Sequence, residues 1–161
     1  MLSRRAGYAL SVDPESEPRE LLGLPAFGFA DPGPLRDALT AAVLVGAKTA
    51  TTSLLVEYVI DGVPLPKLGD RSLVYDSERR PVAVIETTSS EIATIVTVRD
   101  EFARAEGERY ADAAGWRVAH EHYWNRWLDY YRDRLRDPEF ALTNSTLVVC
   151  ERFRLVERLE P

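Results

Sequence analysis

Cysteine is nearly missing from this chain: Cys150 is the single one among 161 residues. That excludes an internal disulfide and a cysteine-built structural zinc site. Its apolar setting, Leu147-Val148-Val149-Cys150, marks a packed residue on a buried strand rather than a nucleophile. Long apolar runs are missing too, and nothing approaches the roughly 18–20 residues that a membrane-spanning helix needs. Behind Arg4 and Arg5 the first residues offer only a short, interrupted apolar stretch, too weak for a secretory signal, so a cytoplasmic protein is expected. Histidine is scarce, and the two present, His120 and His122, are two residues apart. That spacing puts them on different faces of a helix, not together as a metal pair. Positive charge is in the minority, with 20 Lys and Arg against 26 Asp and Glu and a net charge of −6. A protein that coats nucleic acid indiscriminately is therefore not expected, although a local cleft can still be positive.

What is present fits one domain with a real core, 45% of the residues being hydrophobic. Residues 1–20, rich in Pro, Ser and Glu and without periodicity, read as a mobile arm. The domain is placed at 21–158. Residues 21–30 read as irregular packing, and Asp31-Pro32-Gly33-Pro34 is strong turn punctuation. Leu35, Ala38, Leu39, Ala42 and Val43 then recur at helical spacing, with Pro34 suited to the first turn and Gly46 to the position just past the end.

Residues 53–60 are apolar and of undecided type. Residues 71–76 and 81–88 alternate as a hairpin around Ser77-Glu78-Arg79-Arg80, with Val82, Val84 and Glu86 on one face. Residues 91–98 read as a further strand. Asp100 is a candidate cap for a short helix over 101–105 ending at Gly107, and one long helix is expected over 111–136. Trp116, His120, Tyr123, Trp127 and Tyr131 share a stripe of it, which reads as a buried face, with base stacking as the alternative. His120 accordingly reads as a packed, hydrogen-bonded histidine, with a site role, such as base for a ribose 2′-OH, as the alternative. A β-rich run over 146–156 closes the chain. Strands interrupted by helices predict an α+β fold, a small curled sheet or barrel with helices outside.

The stretch most suggestive of chemistry is Gly46-Ala47-Lys48-Thr49-Ala50-Thr51-Thr52-Ser53, one lysine among four hydroxyls where the first helix stops. Such a group suits binding of phosphate or work on a carbonyl; a polar helix-to-strand connection is the plainer reading. Between residues 117 and 136 five arginines face three acids, a basic stretch in an acidic whole. Solvated helix charges are its commoner explanation and a phosphodiester contact the other.

Six landmarks in order carry a family resemblance. They are Gly46-x-Lys48-Thr49-Ala50-Thr51, Pro64-Leu65-Pro66-Lys67-Leu68-Gly69-Asp70, Val84-Ile85-Glu86-Thr87-Thr88, Ala105-Glu106-Gly107-Glu108, Trp116-Arg117-x-x-His120 and Val148-Val149-Cys150-Glu151-Arg152-Phe153. Over roughly residues 27–156 the chain resembles an ASCH domain (activating-signal-cointegrator homology). The resemblance implies a PUA-like fold, a small β-barrel or curled mixed sheet with flanking helices and a cleft used for RNA or nucleosides. One small bacterial branch removes the acetyl group of N4-acetylcytidine, and its Lys, Thr and Glu fall on Lys48, Thr51 and Glu106. Another branch is described as a single-strand ribonuclease using the same lysine. The chain departs from the first branch after the threonine, with Thr52 and Ser53 in place of Ile-Arg.

The resemblance thus implies a modified nucleoside or single-stranded RNA as partner, with Lys48, Thr51 and Glu106 as catalytic candidates. Thr49, Ser53, Glu86, Trp116 and Arg117 are the candidates for substrate contact; no cofactor or metal is called for. Amide cleavage requires a nucleophile and a base. Thr51 is a weak nucleophile unaided, and Lys48 serves as base only if its surroundings favour the neutral amine. An ion pair with Glu106 would instead make Lys48 an electrostatic clamp. A lysine serving only a site would leave stability nearly unchanged on replacement by alanine.

Overall fold

The computed structural model describes residues 20–159. The arm expected over 1–20 therefore lies outside the described residues except for Glu20, the first residue of β1.

Where irregular packing was expected at 21–30, the chain forms two short strands, β1 (Glu20–Leu21) and β2 (Leu24–Phe27). Leu22 and Gly23, both at positive φ (53° and 77°), make a two-residue turn between them. Helix α1 (Pro34–Leu44) begins at the proline as its sequence predicts. Gly46, at φ 76°, closes it: the Gly46 amide bonds Val43 O, and the Ala47 and Lys48 amides both bond Ala42 O. The backbone of Lys48 is thereby fixed to the end of a packed helix.

Strand β3 (Ala50–Leu54) and helix α2 (Leu55–Asp61) resolve the undecided 53–60 stretch. The expected hairpin follows as β4 (Arg71–Tyr75) and β5 (Pro81–Thr94). β5 absorbs both predicted strands in one of 14 residues, because it pairs along most of its length with β6 (Leu147–Arg158) and passes the join through an irregularity at Thr87–Ser89. A short 3-10 turn (Ile95–Thr97) leads to α3 (Asp100–Ala105). Asp100 does not cap this helix; its carboxylate accepts from the Ala113 amide at 2.8 Å.

The long helix predicted over 111–136 is two, α4 (Ala113–Asn125) and α5 (Leu128–Leu135). They part where the Arg126 and Trp127 amides turn to carbonyls three residues back, at Tyr123 and Trp124. No proline or glycine signals that break in the sequence.

The six strands form one mixed sheet in the order β1-β2-β4-β5-β6-β3, open, with β1 and β3 at its edges. Only β2 and β4 pair in parallel; the other neighbours are antiparallel. Helix α1 packs Leu39 and Val43 with Phe27, Val74, Ile85 and Phe153 in one core. The other helices build a second core from Phe102, Trp116, Trp124 and Tyr131 with Leu54 and Val148. The segment between β5 and β6 leaves and rejoins the sheet at paired residues, Thr94 and Leu147, with the Ile95 amide bonded to Thr146 O. No helix among the described residues is long and apolar enough to cross a membrane.

Candidate functional site

A cleft of about 280 Å³ opens on the seam between the two cores. Leu35 and Leu39 of α1, Lys48, Thr51 and Thr52, Glu57 of α2, Glu106, Glu108 and Tyr110 after α3, and His120 and Trp124 of α4 all line it. Lys48, Thr51 and Glu106 thus meet in one place, although Lys48 and Glu106 are 58 residues apart.

Gly107 is what permits the meeting. At φ 70° it presses the turn after α3 against the Lys48 loop, and a Cβ there would lie 2.6 Å from the Ala47 carbonyl oxygen. The Thr49 amide bonds Ala105 O at 2.8 Å and fixes the same contact from the other strand.

Lys48 is 2% exposed. Its Nζ donates to Glu106 O at 3.0 Å and Glu108 Oε1 at 3.2 Å, and lies 3.8 Å from Glu106 Oε2. It also sits 5.0 Å from the centre of the Phe29 ring. Every polar neighbour is an acceptor, which suits an ammonium and opposes the role of a free amine base.

The Glu106 carboxylate is enclosed by donors. Oε1 accepts from Thr52 Oγ1 at 2.5 Å and from the Trp116 indole at 2.7 Å; Oε2 lies 3.3 Å from His120 Nε2. The other ring nitrogen of His120, Nδ1, is 2.9 Å from Trp116 O. A carboxylate on one side and a carbonyl on the other leave the ring donating from both nitrogens, so His120 stands as an imidazolium. Burial opposes this charge, but Glu106 and then Glu108 outweigh it and raise the histidine above its ordinary value. Burial likewise pushes the Glu106 carboxyl up, yet His120, Lys48 and the Thr52 bond reverse the effect and hold it at about 2. Lys48 and His120 are thus balanced by Glu106 and Glu108, a buried four-charge cluster.

Across the cleft Glu57 lives differently. It accepts from the Tyr131 hydroxyl at 2.7 Å and from the Leu54 amide at 3.1 Å. No cation of the described residues lies within ion-pair reach of it. Burial dominates and raises its carboxyl to about 7 against those two bonds.

The remaining candidates fall elsewhere. Glu86 does not face Lys48: it pairs with Arg71 at 3.0 Å and Arg154 at 2.7 Å on the sheet. Arg117 is bound to Glu121 and Asn144 on the outside of α4. Trp116 is fully buried and acts through its indole N–H on Glu106, with no face free for a base. Thr49 turns its hydroxyl towards Ala105 O, and Ser53 is buried in β3 outside the cleft lining. Cys150 is buried and its thiol pushed up to about 12, in keeping with packing.

Thr52, Glu57 and Glu108 are among the lining residues that the sequence reading did not put in the site, and His120 was read there only as the lesser alternative. Thr52 had a visible signal, since it stands where the sequence departs from the deacetylating branch. An isoleucine there has no hydroxyl to offer Glu106. Among the described residues no three His, Cys, Asp or Glu side chains converge to hold a metal ion.

Fold and cleft together define a mixed-sheet α+β domain with a largely apolar pocket that carries a few charged groups, and the comparisons give that class its family. The ASCH domain model matches residues 26–157, and the chain belongs to that family. A crystal structure of a protein from Enterococcus faecalis V583 is similar at 28% identity and a TM-score of 0.73, over 86% of this chain and 80% of that one. The ASCH domain from Lactobacillus crispatus JV V101 is similar at 25% identity and a TM-score of 0.66, over 81% and 77%. Among curated proteins none matches.

Proposed function

We propose that the cleft around Lys48 binds a single nucleobase, presented by a modified nucleoside or by a short stretch of single-stranded RNA. The observation that carries this reading is the convergence of Lys48, Thr51 and Glu106 on one pocket. Its volume lies at the low end of small-molecule sites, enough for one base and its sugar and too small for a duplex. Phe29, Tyr110, Tyr123 and Trp124 among the lining supply aromatic surface for a planar ring.

Amide hydrolysis of an N4-acylated cytidine is the second reading, favoured because Thr51 and Lys48 line the same pocket. In that reading Thr51 Oγ adds to the acyl carbonyl and Lys48 steadies the oxyanion instead of acting as base. Collapse breaks the C–N bond, N4 takes up the proton that Thr51 lost, and water then frees the carboxylate from the acyl-threonine. Glu106, held at about 2, is a poor carrier for the threonine proton, so another cleft carboxylate or water must take it. Ribonuclease chemistry is less well supported: it needs a free base for the ribose 2′-OH, and both nitrogens of His120 are engaged.

Chromatography of N4-acetylcytidine incubated with the protein, beside a Lys48→Ala control, tests the second reading; cytidine released by the wild type alone establishes it. Titration of cytidine, N4-acetylcytidine and labelled single-stranded RNA tests the first. Binding that weakens little with salt is expected, since few phosphates are engaged. If neither nucleoside nor RNA binds, the proposal fails.

A further inference from the structure

One carboxyl of the cleft has no cation beside it. Lys48 and His120 are matched by Glu106 and Glu108, and Arg126 at the rim is held by Asp31 at 3.5 Å. Glu57 is left over. It is 9% exposed, lines the cleft, and receives hydrogen bonds only from a tyrosine hydroxyl and a backbone amide. The bond to the Leu54 amide explains a helix-capping acceptor at this position, but gives no balance for a charge.

A second observation points into the same space. Thr51 is 8% exposed and lines the cleft, and among the described residues its hydroxyl has no hydrogen-bond partner. A polar side chain this buried and unpaired leaves hydrogen-bonding capacity for a ligand. The aromatic walls add a third element, because ring faces attract cations in desolvated pockets.

We propose that Glu57 makes the cleft a subsite for a positively charged planar group, so that a cationic base, ring-methylated or protonated, is preferred over its neutral parent. The inference rests on the base-binding reading above and deepens it: the base enters, and any phosphate stays at the rim. Glu57 supplies the counter-charge, the aromatic rings cover the faces, and Thr51 offers a hydroxyl to an edge. An anion seated at Lys48 would meet the Glu106 and Glu108 carboxylates beside it.

The test is calorimetric titration of the full chain with benzamidinium and its neutral isostere benzamide, and in parallel with 1-methyladenosine, cationic at neutral pH, and adenosine. The cation of each pair should bind about tenfold more tightly or better, and Glu57→Gln should erase that preference. Equal affinities within both pairs, or a preference that survives Glu57→Gln, would overturn the subsite. If Glu57→Gln does not fold, the Glu57 carboxyl carbon resonance of the wild type decides. It should move on saturation with benzamidinium, and a stationary resonance rejects the contact. Charge-selective, Glu57-dependent binding of benzamidinium without any nucleoside binding would uphold the subsite and discard the nucleobase reading. Nucleoside binding indifferent to charge would do the reverse.

Discussion

Two carboxylates share one cleft and are treated in opposite ways. Glu106 is ringed by a lysine, a histidine, an indole and a hydroxyl, and stays ionised far below neutrality. Glu57, as deeply placed, has two neutral donors and holds its proton to about 7. Burial acts on both in the same direction; the number of cations within reach decides the outcome. One acid is therefore a paired anion and the other a carboxyl held up by burial, which the bare presence of two glutamates would not reveal.

The sharpest way to break the comparison is to neutralise each acid in turn. Glu106→Gln leaves Lys48 and His120 facing each other without their shared anion and should cost about 3–5 kcal/mol in denaturant titrations. Lys48→Ala should also be destabilising, by less, because His120, Thr52 and Trp116 still serve Glu106. The expectation of a stability-neutral lysine is revised on this ground. A Lys48→Ala protein as stable as the wild type would show that the buried cluster is worth nothing.

Acidity separates the pair next. Glu106 is lowered from an ordinary 4.5, so the stability it adds is complete above that pH and is lost as pH falls towards 2. Glu57 is raised, so the folded state loses ground as pH climbs from 4.5 through about 7 and levels off beyond. At about 1.4 kcal/mol per unit the second effect is on the order of 3 kcal/mol. Besides Tyr131, the charged groups acting on Glu57 are Asp61, which raises it, and His120, which lowers it. Unfolding free energies measured between about pH 4.5 and 6.5 should fall in the wild type and stay nearly flat in Glu57→Gln; above that range His120, also raised, adds a fall of its own in both proteins. A wild-type curve without that fall would contradict the assignment.

Smaller effects belong to the supports. Gly107→Ala forces a side chain into a left-handed backbone against the Ala47 carbonyl, and about 2 kcal/mol of stability should go with it. Thermal melting and ligand binding should worsen together. Glu86→Ala, on the exposed sheet, should barely move the melting temperature and leave cleft binding untouched. Loss of binding in that variant would return Glu86 to the site.

Much of this was legible in the order of residues. The helix ending at Gly46 and the hairpin at Ser77–Arg80 follow from local punctuation, whereas the sequence leaves open whether Glu106 or Glu86 faces Lys48. The rest depends on what only folding assembles. Nothing near Arg126 announces the break between α4 and α5. The merger of two short strands into β5 reflects the length of its partner β6, a non-local fact. Glu57 reads as an ordinary acid on an amphipathic segment until Tyr131, 74 residues away, is seen to close over it. His120 was read correctly as hydrogen-bonded, but its charge follows from the acceptors on both sides of the ring.

The excursion between Thr94 and Leu147 has a consequence for how the cleft is assembled. Its two ends are neighbours across a ladder of eleven residue pairs, so the register of β5 on β6 is set outside it. Yet that excursion carries Glu106, Glu108, Tyr110, His120 and Trp124, most of one wall of the cleft. The fixed half contributes Lys48, Thr51, Thr52 and Glu57. The two walls thus come from separate parts of the chain, one from the sheet side and one from the excursion. The cleft is a vice whose two jaws are cut from different lengths of chain.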